Sequence, residues 1–137
     1  MIHEETCTYE VCKLAKEKGF PQDVFGTCEM KSACYLDDGR FYKDGCIYPI
    51  ENAYTAPTQS LLQRWMREEK KIYVCPCIIS DYEDDYTPHI VYWSFIIVNT
   101  ESGDSIYREY ERVDEKRFDT YELALEDAEL YVLKNLL

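Results

Sequence analysis

The chain has 137 residues, of which 46% are hydrophobic and 15% aromatic. This composition excludes a disordered chain, and the length is sufficient to bury a core without disulfides or metal. The net charge of −12, from 15 Lys and Arg against 27 Asp and Glu, repels nucleic acid phosphates. We therefore expect no nucleic acid partner.

The first twenty residues, MIHEETCTYEVCKLAKEKGF, lack the basic and then apolar regions of a signal peptide. No apolar run approaches the roughly 20 residues of a membrane span. We therefore expect a cytoplasmic protein with no membrane partner, in which the seven cysteines are reduced thiols.

The first predicted element is a helix. Thr8 is placed to cap it, and it runs through Lys18. Gly19 follows, where a left-handed residue commonly ends a helix, and then Phe20 and Pro21.

A hairpin is predicted next. Residues 27–36, TCEMKSACYL, are typical of a strand, and DDGR at 37–40 is a turn signal. FYKDGCIY then returns as a short partner strand.

A second helix is predicted with Thr55 or Ala56 as its N-cap and Pro57 in its first turn. Its apolar residues recur at helical spacing and are expected to face a core: Leu61, Leu62, Trp65 and Met66.

Three strands should follow. The first starts at 70 or 71 and ends at 80, and Pro76 within it indicates an edge or a bulge. Residues 89–99, HIVYWSFIIVN, are apolar on both faces and predict a central strand. Residues 104–113 form the third, after the turn TESGD.

The last helix is predicted over 120–136. Asp119 and Glu122 form a capping box, and Phe118 with Leu123 forms a hydrophobic staple. Its expected buried face comprises Ala124, Leu125, Ala128, Val132 and Leu136.

This order of elements predicts a single α+β domain over residues 1–137. Its antiparallel sheet, a three-stranded meander plus an N-terminal hairpin, would pack on about three helices.

The cysteines and histidines do not form a recognisable metal or catalytic set. Cys75 and Cys77 are too close for a zinc knuckle, and Cys28 and Cys34 are too far apart. A Cys paired with His89 is an open alternative, although nothing else in the sequence supports it. We predict no catalytic residue, no metal and no cofactor.

Thr55, Thr58 and Gln59 surround the predicted N-terminus of the second helix, where free N–H groups favour an anion or another acceptor. Arg64 lies further along. These four residues predict a site for a small ligand or for the backbone of a partner. Capping alone also accounts for Thr and Pro here, so both interpretations stay open.

The acidic run SDYEDDYTPH separates two predicted strands. Asp81, Glu83, Asp84 and Asp85 predict a contact loop for a basic partner. A solvated loop is the simpler alternative, and the run lacks the ligand spacing of a calcium loop.

Three segments, EVCKLAKEKGF, YTAPTQSLLQRWMREEKKI and YELALEDAELYVLKNLL, resemble a family of small uncharacterised proteins. That family is associated with phages, prophages and mobile elements of gut Bacteroidales. The resemblance covers most of the chain and implies a bacterial cytoplasmic setting, with a role during phage infection or plasmid maintenance. It implies no known activity and no catalytic residue.

The sequence thus predicts a non-enzymatic interaction protein that binds an unidentified host or phage protein. Its thirteen tyrosines suit an interface, and we expect an oligomer. The alternative is an anti-defence protein that captures a small-molecule ligand, such as a nucleotide signal, or that mimics DNA.

Overall fold

The computed structural model describes residues 4–22, 24–25, 29–30, 32–45, 53–82 and 88–137, with the backbone alone at 24–25, 29–30, 81–82 and 88–90. It has the predicted α+β fold, in which helices accompany antiparallel sheets. Packing divides the chain into two compact units. Unit 1 comprises Met1–Leu62 and Val132–Leu137, and unit 2 comprises Gln63–Tyr131. The single domain stays a prediction.

The first helix, α1, spans Tyr9–Glu17, inside the predicted bounds. The residue after its C-cap is Gly19, whose φ of +96° is a conformation that glycine adopts at little cost. The N–H of Phe20 donates to the Ala15 carbonyl at 2.9 Å, and that of Gly19 donates to the Lys16 carbonyl at 3.1 Å. These two bonds make up a Schellman motif, so the predicted C-cap is confirmed.

The described part of unit 1 contains five short strands: β1 (Val24–Phe25), β2 (Glu29–Met30), β3 (Cys34–Tyr35), β4 (Phe41–Tyr42) and β5 (Tyr54–Thr55). The strand β1 pairs with β2, while β3 lies between β4 and β5. The single strand predicted over residues 27–36 is therefore wrong. Its two ends form β2 and β3, which pair with different neighbours.

The turn predicted at residues 37–40 is confirmed. The N–H of Leu36 donates to the Arg40 carbonyl at 2.8 Å, and the N–H of Gly39 donates back to the Leu36 carbonyl at 2.9 Å. Gly39 has a φ of +90°. The return strand is also confirmed at Phe41–Tyr42. The last three residues of the predicted strand, Cys46, Ile47 and Tyr48, lie outside the described part of the chain.

The second helix, α2, spans Gln59–Glu69. The predicted start at Thr55 or Ala56 is wrong, because Thr55 belongs to β5 and pairs with Cys34 in β3. The helix instead starts after Thr58. Local sequence favoured the earlier start, and a strand partner remote in the sequence overrode it.

The apolar face of α2 is narrower than predicted. Leu62 and Met66 are fully buried, and Trp65 is half-buried. Leu61 is exposed, so its predicted core position is wrong. Residues 62 and 66 lie one above the other on a helix, whereas residue 61 is rotated away from them.

Unit 2 is organised around a separate three-stranded sheet in the order β6-β7-β8. Its strands are β6 (Ile72–Tyr82), β7 (Pro88–Asn99) and β8 (Ser105–Arg108). The predicted central strand is β7, and Pro76 lies on the edge strand β6, so both predictions are confirmed. The third strand is shorter than the predicted 104–113, because the chain turns into a 3-10 helix at Glu109–Glu111.

The third helix, α3, spans Tyr121–Asn135. The N–H of Leu123 donates to the Thr120 hydroxyl at 3.2 Å, so Thr120 is the N-cap. The capping box predicted from Asp119 and Glu122 is wrong, because the chain before Thr120 is held extended by pairing with β7.

The buried face of α3 is close to the predicted one. It comprises Ala124, Leu125, Ala128, Val132 and Leu133. Leu136 is half-buried. Glu129 is also fully buried, which the apolar pattern did not predict.

Candidate functional site

The N-terminus of α2 is occupied by the chain itself. The N–H of Gln59 donates to the Glu5 carbonyl at 2.9 Å, and the N–H of Leu61 donates to the Thr58 hydroxyl at 3.3 Å. The Ser60 hydroxyl donates to the Glu4 carboxylate. Capping chemistry and an internal carboxylate thus use the positions that an anionic ligand would take.

The remaining predicted residues of that site are also engaged. Thr55 is buried, and its N–H donates to the Gln22 side-chain oxygen at 2.8 Å. Arg64 is exposed and pairs with Glu68 at 3.0 Å along the helix. Thr55, Thr58 and Gln59 belong to unit 1 and Arg64 to unit 2. Ligand binding by these four residues stays a prediction.

The acidic contact loop lies mostly outside the described residues. Glu83, Asp84 and Asp85 belong to the range that the structure does not describe. Asp81 is the exception, since its backbone pairs with Ile90 near the end of β6. A contact by this loop stays a prediction.

The cysteines behave as small packing residues where they are described. Cys7, Cys12 and Cys34 are buried, and Cys75 and Cys77 are half-buried; Cys28 lies outside the described residues. Burial, with a smaller effect from Cys75, raises the pKa of the Cys77 thiol. A raised pKa disfavours the thiolate that nucleophilic attack or metal binding needs.

A groove of about 330 Å³ lies beside the start of α3 in unit 2. Its lining combines apolar and acidic side chains with one arginine: Arg117, Phe118, Asp119, Leu123, Glu126, Asp127 and Leu130. Leu123 is 48% exposed. An exposed leucine among carboxylates suits a ligand with an apolar stem and a cationic end.

One wall of the groove is fixed by the sheet. Trp93 and Phe118 exchange two backbone hydrogen bonds, of 2.8 and 3.0 Å, which extend pairing on β7 beyond the end of β8. The Phe118 ring lies 6.2 Å from the buried Phe95 ring. Phe118 is thus held by backbone and core contacts rather than by the loop alone.

The cations beside the groove already have partners. Lys116 pairs with Asp127 at 3.3 Å. Arg117 pairs with Glu115 at 3.0 Å, and its guanidinium lies 4.4 Å from the centre of the Tyr92 ring. Within the described part of the chain, Asp119 and Glu126 form no ion pair, so their carboxylates give the groove a negative rim.

A buried polar network supports the segment that carries this wall. Glu109 is almost fully buried, and its carboxylate accepts the Tyr107 hydroxyl and the N–H of Lys116, the latter at 3.0 Å. Arg112 donates to the Tyr107 oxygen at 2.9 Å. Burial, and then the Glu109 carboxylate, raise the pKa of the Tyr107 phenol. These bonds connect the two ends of the segment 107–116 to each other.

A second groove, of about 470 Å³, follows β8. It is lined by Asp104, Ser105, Ile106, Tyr107, Arg108 and Glu111. Arg108 and Glu111, which both line it, pair at 2.9 Å. The two long side chains therefore satisfy each other, and the groove offers less unpaired charge than the one at α3. Neither groove is lined by Thr58, Gln59 or Arg64.

Many of the tyrosines are structural. In unit 1 the Tyr9 hydroxyl donates to the Asp37 carbonyl at 2.7 Å, and the Tyr54 hydroxyl donates to the Asp37 carboxylate at 3.1 Å. Phe41 and Tyr42 on β4 are exposed. Among the tyrosines whose side chains the structure describes, Tyr42 and Tyr121 are exposed; an interface role for the tyrosines stays a prediction.

Sequence reasoning missed the groove because it assigned Phe118 and Leu123 to a staple. A usable signal was present, since Leu123 and Leu130 lie two helical turns apart and fall outside the stripe of buried residues. Apolar residues at that spacing on a polar helix face indicate a contact surface.

Comparison with known proteins gives no relative: the chain matches no family model, and no curated protein and no solved structure is found to be similar. Within the described ranges, no helix is both long enough and apolar enough to cross a membrane. The same residues contain no group of three or more His, Cys, Asp or Glu side chains arranged to hold a metal ion.

Proposed function

We propose that this chain is a non-enzymatic, cytoplasmic interaction protein of phage or mobile-element origin. Its site is the groove at the start of α3, and its partner is a protein with a basic segment that carries an apolar side chain. The observation that carries the proposal is the exposed Leu123, which lines the same groove as the carboxylates of Asp119 and Glu126.

The apolar part of the groove supplies contact area. Phe118, Leu123 and Leu130 line it together, and apolar surface that is removed from water contributes about 25 cal/mol per Å². Because Phe118 is fixed by its bonds to Trp93, this wall is formed before the partner binds. A preformed wall lowers the ordering cost of binding.

The charge of the unit selects the partner. Unit 2 carries 17 Asp and Glu against 8 Lys and Arg, a net charge of −9. A field of this sign attracts basic proteins and repels acidic ones. The origin and cytoplasmic location rest on the family resemblance, which also supports a host or phage protein as the partner.

The test is capture of partners from a bacterial host lysate with the tagged protein, followed by affinity measurement on the captured protein. Leu123→Lys places a cation among the groove carboxylates, and we expect at least about a tenfold loss of affinity, equal to about 1.4 kcal/mol. Glu126→Lys should weaken binding as well, and added salt should weaken it further.

Leu61→Lys is the matched control, because Leu61 is also a helical leucine and is 50% exposed, against 48% for Leu123. The proposal is wrong if the control and the groove variants lower the affinity equally. Native mass spectrometry of the gently purified protein addresses the alternative. A bound small molecule that is lost on denaturation would favour ligand capture instead.

A further inference from the structure

One side of α3 lines the groove of unit 2 along the length of the helix. The residues of α3 that line it are Leu123, Glu126, Asp127 and Leu130. Because an α-helix brings residues three, four and seven positions apart to the same side, these side chains form one row along α3. The spacing of the row restricts the shape of a partner that contacts all of it.

The two leucines set the repeat of the row. Leu123 and Leu130 are seven residues apart on α3, which at a rise of about 1.5 Å per residue separates them by about 10.5 Å along the helix axis. Seven residues make almost two full turns, so both leucines lie on the same side of the helix. Leu123 is exposed and Leu130 is half-buried. The groove thus offers two apolar contacts at the spacing of one heptad.

Carboxylates flank this leucine row on both sides. At about 100° of rotation per residue, positions three and four after Leu123 fall to either side of the line of the leucines, and they hold Glu126 and Asp127. Asp127 already pairs with Lys116 at 3.3 Å. Among the residues that the structure describes, Glu126 has no ion pair, and neither has Asp119 just before the helix. These two carboxylates are therefore available to cations of a partner.

The walls of the groove use their backbone groups internally. Along α3 the N–H and carbonyl groups bond to one another within the helix. On the opposite wall, the N–H and the carbonyl of Phe118 are both bonded to Trp93, at 3.0 and 2.8 Å. An extended segment would find no backbone partners at these residues, whereas a helix arrives with its own backbone groups already paired.

The repeat of the row also matches a helix better than a strand. Side chains on one face of a strand recur about every 6.7 Å, and the next recurrence comes at about 13 Å. Neither value equals the separation of the two leucines. A second helix that packs along α3 has the same rise per residue, so apolar residues seven positions apart on it meet Leu123 and Leu130 together.

We propose that the groove binds a basic amphipathic helix of the partner protein, packed along α3. Its apolar residues lie seven positions apart and contact Leu123 and Leu130, and Lys or Arg between them faces Glu126. This inference rests on the proposed function, because it concerns the partner of the same groove, and it adds the conformation and the spacing of that partner. A second copy of α3 is the wrong occupant, since it would bring carboxylates against carboxylates.

Three synthetic peptides of about 20 residues test the inference, a length at which alanine-rich chains form helices. The first contains leucines seven positions apart, lysines three and four positions after each leucine, and alanine elsewhere. The second has the same composition, with its leucines distributed around the helix. The third is the first peptide with a central alanine replaced by proline, which breaks the helix.

Fluorescence anisotropy of labelled peptides measures their affinity for the protein. We expect the first peptide to bind at least about tenfold more tightly than the other two, and added salt should weaken its binding. Leu123→Lys should lower its affinity at least about tenfold. Glu126→Gln should lower the affinity less, because it removes one charge and keeps the shape. Leu61→Lys adds the same charge at an exposed leucine of α2 and should bind as the parent does.

Equal binding of the first two peptides would show that charge alone attracts them, and equal binding of the proline peptide would show that no helix is required. Either result overturns the inference, as does an absence of binding by all three peptides or an unchanged affinity in Leu123→Lys. The proposed function is tested separately, on the protein captured from lysate. A captured partner that occupies the groove with an extended segment would overturn this inference and leave the proposed function standing.

Discussion

Replacement of Tyr107 by Phe should show how much the hydrogen bonds of the Tyr107 hydroxyl contribute to the stability of unit 2. The ring is retained, including its stack on Tyr131 at 4.0 Å between centroids and its contact with Phe95 at 5.8 Å. Only the hydroxyl is lost, and with it the bond to the buried Glu109 carboxylate and the bond that the Tyr107 oxygen accepts from Arg112 at the surface. The variant therefore removes hydrogen bonds and leaves the packing of the ring intact.

The expected loss follows from the burial of the acceptor. Glu109 is almost fully buried, so water does not replace the hydroxyl, and its remaining described bond is to the N–H of Lys116. Hydrogen bonds to charged groups contribute about 1.5–3 kcal/mol. We expect Tyr107→Phe to lower the free energy of unfolding by about 2 kcal/mol.

Urea unfolding measures this loss. With a slope of about 2 kcal/mol per M for a small protein, the midpoint should fall by about 1 M. Tyr121→Phe is the control, since Tyr121 is exposed and should change stability by less than about 0.5 kcal/mol. In the double variant with Glu109→Gln, the two losses should not add. Equal effects of the two Tyr variants, or additivity with Glu109→Gln, would refute the reasoning.

Three further changes test other parts of the structure. Gly19→Ala meets no atom within 4 Å of the added carbon but keeps a φ of +96°, so unfolding measurements should show a loss of about 1–2 kcal/mol from backbone strain alone. Thr120→Ala removes the N-cap of α3 and should lower the free energy of unfolding by about 1 kcal/mol. A larger loss in Asp119→Ala would instead show that Asp119 caps the helix. Burial, and then the Asp37 carboxylate, raise the pKa of the Tyr54 phenol; the folded state therefore holds the proton more tightly, and stability should fall as pH rises above about 10. Tyr54→Phe should flatten that decline, and an unchanged decline would contradict the assignment.

The sequence by itself determined the elements whose signals are local. The end of α1 was predictable because only a glycine at residue 19 suits the left-handed cap that its bonds require. The central place of β7 was predictable because residues 89–99 are apolar on both faces, and a strand with that pattern must be covered on both sides. Pro76 identified an edge strand because a proline cannot donate to a neighbour.

Tertiary structure decided the points where neighbouring residues had similar local preferences. Thr55 and Thr58 are both good caps for α2, and the pairing of Thr55 with Cys34 selected the later start. Asp119 and Thr120 are both good caps for α3, and the bonds between Trp93 and Phe118 selected Thr120. The same pairing fixes the position of Phe118, which lines the groove together with Leu123. Such contacts join residues remote in the chain, so no local propensity encodes them.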